Sequence, residues 1–97
     1  MNRIAVTARI GAKDGRRVTL QGRDAWALLQ LLAAGAHGVT PIERVGPRWS
    51  AYVFKLRKAG IAVLTVREAH GGAFPGSHAR YVLAAPVFIE DPSEVAA

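Results

Sequence analysis

Arg48, Ser50, Ala51 and Lys55 lie within one stretch of eight residues, and their side chains make a set that can read the edges of base pairs. Arginine offers two parallel donors that match guanine, serine is an adaptable partner, and the alanine methyl can lie against the methyl of thymine. Arg44, Lys58 and Arg67 suit phosphate, where charge matters more than orientation. From Arg44 to Arg80 there are seven Lys or Arg and a single acid, Glu68. A solvated helix usually mixes charge signs, so this imbalance predicts a polyanionic partner. Thr40, Tyr52, His70 and His78 complete the candidate set as backbone contacts. Tyr52 lies at the boundary of an apolar stripe, and its hydroxyl either reaches a phosphate or its ring packs.

These residues need elements to hold them. Thr40-Pro41-Ile42-Glu43 has the features of a helix start: a hydroxyl cap, Pro at the first helical position and Glu three residues on. Gly46 and Pro47 stop that helix after about five or six residues. Pro47 then fits the first position of a longer helix, which Gly60 ends. At 100° per residue Trp49, Val53, Leu56 and Gly60 share one stripe, and Arg48, Ala51, Phe54, Lys55 and Lys58 spread over the opposite face. A short helix, a tight turn and a basic helix form a helix-turn-helix layout. Phe54 falls outside the stripe, where it either covers the base of the following hairpin or joins a subunit contact.

Upstream, Asp24 opens a first helix carrying Trp26, Leu28, Leu29, Leu31 and Leu32 and closed by Gly35 and Gly38. So broad an apolar face must be covered on more than one side, which makes it the central post, with Trp26 and Trp49 as core residues. Before it, residues 3–10 and 17–21 are rich in β-branched residues and separated by Gly11, Asp14 and Gly15, a pattern that predicts a hairpin. Its arginines and lysine serve either as a phosphate-contacting arm or as the wet face of an edge ribbon. After Gly60, residues 61–66 and 79–84 read as two strands joined by the glycine-rich stretch 68–78, a hairpin of the kind called a wing. Val87-Phe88-Ile89 adds a short edge strand or covers the core, and from Glu90 the chain reads as an acidic tail.

The whole chain has 97 residues, enough for one domain, and its 51% hydrophobic content argues against disorder outside the ends. The formal net charge is +6; residues 1–89 hold thirteen basic and four acidic groups, a balance of +9. No apolar run approaches the ~20 residues needed to cross a bilayer, and the N-terminus lacks the apolar core of a signal peptide. A cytoplasmic, nucleoid-associated protein without a membrane partner is expected. The absence of cysteine excludes a disulfide framework and a thiolate zinc site.

The sequence resembles the small winged-helix, helix-turn-helix proteins of bacterial genomes and their phages. The likeness covers roughly residues 24–84. Leu28-Leu29, Leu31-Leu32 and Gly35 carry it on the first helix, Gly38-Val39-Thr40 at the head of the second, Leu56-Arg57-Lys58-Ala59-Gly60-Ile61 at the end of the third, and Arg80-Tyr81-Val82-Leu83 on the returning strand. It departs from the usual pattern at Gly46-Pro47 and at Trp49, where a smaller aliphatic residue is more usual. The resemblance implies a DNA-binding regulator, often of prophage or mobile-element genes.

Other chemistries are poorly served. His70 and His78 are two imidazoles where a stable metal site wants three or four ligands, and no Lys-Ser/Thr pair follows the glycines to make a nucleotide loop. Ser50 and Ser77 lack a nucleophile motif, and Glu90 and Asp91 are adjacent rather than opposed across a cleft. The reading is therefore an α+β winged helix-turn-helix domain over residues 1–89. It comprises an N-terminal hairpin (1–21), three helices (24–60) and a wing (61–84), followed by a tail (90–97). It is expected to bind double-stranded DNA as a homodimeric transcriptional regulator, a repressor, with no enzyme activity, cofactor or small-molecule ligand. The alternatives are a DNA-bending or recombination-directing factor, and a winged-helix protein-interaction module.

Overall fold

The computed structural model describes residues 4–41, 48–71 and 76–90. β1 (Ala5–Ile10) and β2 (Arg16–Gln21) form the expected antiparallel hairpin, with Val6 opposite Leu20 and Ala8 opposite Val18. Of its two strands only β2 lies at a sheet edge. The last described strand, βC (Val87–Ile89), pairs with the other side of β1, giving the order β2-β1-βC.

α1 (Gly22–Ala34) follows β2 without a loop and starts two residues before Asp24. Gly22 has φ 63°, a left-handed backbone that turns an extended strand into a helix within one residue, and its N–H donates to the Ile4 carbonyl at 2.7 Å. Ala25, Ala27, Leu28 and Leu31 are buried, and α1 touches β1, β2, the second helix and the wing, as a central post must. A single 3-10 turn, Gly35–His37, follows.

The second α-helix, α2 (Trp49–Lys58), is the basic one. It was expected from Pro47 but begins at Trp49, with Arg48 as an exposed N-cap in non-helical conformation. Burial of the Trp49 ring against Trp26, Tyr52 and Tyr81 places the first turn and overrides the local proline signal. The short helix expected from Pro41, and Ile42 and Glu43 of its Thr40–Glu43 capping box, fall largely on 42–47, outside the described residues. Two α-helices are therefore described where three were expected.

The wing strands, βW1 (Val63–His70) and βW2 (Gly76–Leu83), pair antiparallel from Val63 opposite Leu83 to His70 opposite Gly76. They reach well into the stretch read as a loose loop. Cross-strand partners account for the extension, since Glu68 lies opposite His78 and bonds to it. Val63 and Tyr81 turn inward and are buried, whereas Leu64 and Val66 point to solvent. A third segment joins the wing at one point, where Val39 and Tyr81 exchange both backbone hydrogen bonds at 2.8 Å.

Helices, hairpin and wing share one core. Leu28, Leu31, Val39, Val53, Leu56 and Ile61 are at or near complete burial, joined by Val6, Ala8 and Leu20 from the hairpin. Fully burying a side chain of this size contributes about 1.5–3 kcal/mol. Gly38 lets the chain enter the wing. Its φ is 75°, and a Cβ there would lie 2.6 Å from the Tyr81 carbonyl oxygen and 2.7 Å from Val82 Cγ2. Gly38→Ala should therefore destabilise the fold by about 1–3 kcal/mol, measured by urea unfolding. An unchanged midpoint would show that the close approach of residue 38 to the wing is absent.

Candidate nucleic-acid interface

One side of α2 is fixed inward by Trp49, Tyr52, Val53 and Leu56, all buried. The helical period then turns Ser50, Phe54, Lys55 and Lys58 out to solvent, with Ala51 half-buried between them. Arg48 stands exposed at the N-cap. Among the described residues none of Arg48, Lys55, Lys58 or Arg67 has an ion-pair partner. Lys58 Nζ lies 5.8 Å from the centre of the Phe54 ring one turn earlier.

Arg57 does different work. It leaves the flank of α2 and donates from Nε and Nη2 to the Val63 carbonyl, at 3.2 and 2.7 Å, and from Nη2 to Thr65 Oγ1 at 2.8 Å. These bonds brace the wing against the helix. Arg16 donates to the Ala59 carbonyl at 3.1 Å, satisfying an acceptor at the C-terminus of α2. Sequence reasoning missed both, because each role depends on a partner that only the fold brings within reach.

A second brace sits on the wing. Arg80 grips Glu68 with two nitrogens and also donates to the His37 carbonyl at 2.9 Å, while His78 Nε2 lies 3.1 Å from Glu68 Oε1. The network ties both wing strands to the turn that precedes residue 38. The bonded Arg80 guanidinium holds the Glu68 carboxyl below its ordinary value of 4.5; partial burial opposes this, and His78 reinforces it.

The other candidates divide. Arg67 is exposed on the wing, and His70 ends its strand. His78, expected at a mobile tip, is half-buried and engaged with Glu68. Thr40 is 1% exposed, so its side chain lies in the core and away from a phosphate surface. Tyr52 is 8% exposed and meets Trp26 and Trp49 edge-on, which gives its ring to packing. Arg44 lies outside the described residues. In the hairpin Arg9 and Arg17 bind the Glu90 carboxylate at 3.2 and 3.0 Å, so these cations are not a free arm. Glu90 is correspondingly no part of a loose tail, and its N–H also donates to the Thr7 carbonyl at 2.9 Å.

A buried helix stripe, a two-stranded hairpin directly after the helix and a bridge from Val39 to that hairpin are the elements of one known architecture. The winged helix domain family matches residues 17–92. The chain belongs to that family. The winged helix is a DNA-binding fold, and it takes in every exposed cation of α2 and the wing described above. No curated protein and no solved structure matches the chain significantly. No helix among the described residues is long and apolar enough to cross a membrane.

The Glu68 network makes the winged helix sensitive to acid. A carboxyl held below its unfolded value stabilises the fold above that value and loses the contribution as pH falls through the folded one. Wild-type protein should lose stability more steeply than Glu68→Gln between neutrality and the range below 4.5. Parallel acid limbs in thermal unfolding would show that this carboxylate is not differentially bound in the folded state.

Proposed function

We propose that this winged helix binds double-stranded DNA sequence-specifically and acts as a transcriptional regulator, a repressor, with α2 in the major groove and the wing along the flanking backbone. The observation carrying the proposal is the outward face of α2, whose cations have no ion-pair partner among the described residues while its inner face is locked in the core. An α-helix fits the major groove, and its N-terminal residues ordinarily meet base edges. Arg48, Ser50, Ala51 and Lys55 are assigned to bases, and Lys58 and Arg67 to phosphates. Such a protein works at the nucleoid, in the cytoplasm. A homodimer would place two copies of α2 on half-sites about 10 base pairs apart, one helical turn along the duplex.

Phosphate neutralisation makes the affinity fall with salt. Six to ten contacts would lower it by roughly 10³–10⁵ between 50 and 200 mM salt. Fluorescence anisotropy on a duplex selected from a random pool measures this, and a salt-independent isotherm would reject the proposal. Arg48→Ala should cost about 1–3 kcal/mol on the selected duplex and relax base choice, whereas Lys58→Ala should weaken all duplexes alike. Indistinguishable profiles for the two variants would remove the division between base and phosphate readers.

A further inference from the structure

Phe54 is 60% exposed, the highest value among the large exposed hydrophobic side chains of the described residues. It projects from α2 opposite the buried Trp49, Val53 and Leu56, so no part of the core uses its ring. Ala51 lies one turn before it and Lys58 one turn after, with Nζ 5.8 Å from the ring centre. An apolar strip therefore runs along a face otherwise occupied by Arg48, Ser50, Lys55 and Lys58.

Phosphate recognition gives a phenyl ring no task. Within the major groove the C5 methyl of thymine is the apolar feature that a base pair offers, and apolar side chains such as Ala and Phe are its partners. A second copy of the chain is a worse occupant, because a two-fold contact centred on Phe54 would bring lysines of like charge together. DNA meets the ring and the cations at once.

Resting on the proposed DNA-binding function, we propose that Phe54, seconded by Ala51, makes α2 a reader of thymine methyl groups. The ring packs on one or more C5 methyls while Lys58, beside it, faces the neighbouring phosphates. Specificity at those positions comes from apolar contact, without a hydrogen bond.

The test compares the selected duplex with the same duplex carrying deoxyuridine for every thymidine, which removes the methyls and keeps every hydrogen-bonding group. Wild-type protein should bind the uracil duplex more weakly, by about four-fold for each methyl it buries. Phe54→Ala should lose most of that preference, keeping only the part that Ala51 supplies, and Phe54→Leu should retain it. Thermal unfolding of Phe54→Ala should match the wild type because the ring is exposed. Equal wild-type affinity for the two duplexes would overturn the inference while leaving DNA binding intact. Full thymine preference in Phe54→Ala would also overturn it, assigning the methyl effect to other side chains or to groove shape. If that variant instead altered the sedimenting mass and left the thymine preference unchanged, Phe54 would be a subunit contact and the inference would fall. Failure of every duplex to bind would remove the inference together with the function on which it rests.

Discussion

Trp49 joins the parts of the molecule that must stay in register. Its ring lies 5.4 Å from Trp26 of α1, 5.9 Å from Tyr52 of α2 and 6.3 Å from Tyr81 of the wing, the last stacked within 20°. Tilted, edge-on and offset arrangements at these separations add to the large area that aromatic burial removes from water. Because Trp49 is also the first residue of α2, the same contact sets where the helix starts and how it is rotated. The outward direction of Ser50, Phe54, Lys55 and Lys58 follows from that rotation. Recognition chemistry on this face depends on a packing event on the other.

Arginine supplies the braces within the fold, while Arg48 and Arg67 stay on the surface with the lysines. Arg9, Arg16, Arg17, Arg57 and Arg80 each bond to a carbonyl or carboxylate of the same chain, whereas Lys13, Lys55 and Lys58 are exposed and unpaired among the described residues. Guanidinium's planar fork suits two acceptors at once, while an ammonium on a flexible stem serves as a solvated point charge. The braces accordingly fall to arginine. The net charge of +6 overstates the free cationic surface, since several of its contributors are spent inside the fold.

Features set by local periodicity were legible in the sequence, and features set by distant partners were not. The stripe of Trp49, Val53 and Leu56 is buried as its spacing requires. The two hairpins also follow from β-branched runs and turn residues. Glu90 reads as tail because acids cluster near the end, yet it meets arginines 81 and 73 residues away. The wing reads too short in the sequence because glycines and histidines suggest a loop, whereas Glu68, His78 and Arg80 hold the ladder from across the strands. No local signal separates Arg57, a brace, from Lys58, an exposed cation; only the position of the neighbouring strand does.

The pairing of β1 with βC has a kinetic consequence. Ala8 lies opposite Ile89, so the central strand of that sheet waits for a partner that lies far along the chain. Contacts of such sequence separation must meet the loop-closure cost before they gain from pairing, and they slow folding. During translation the open side of β1 is an unpaired strand edge, the kind of surface on which nascent chains associate wrongly. The helices and wing can collapse first, but the sheet closes only once βC has emerged.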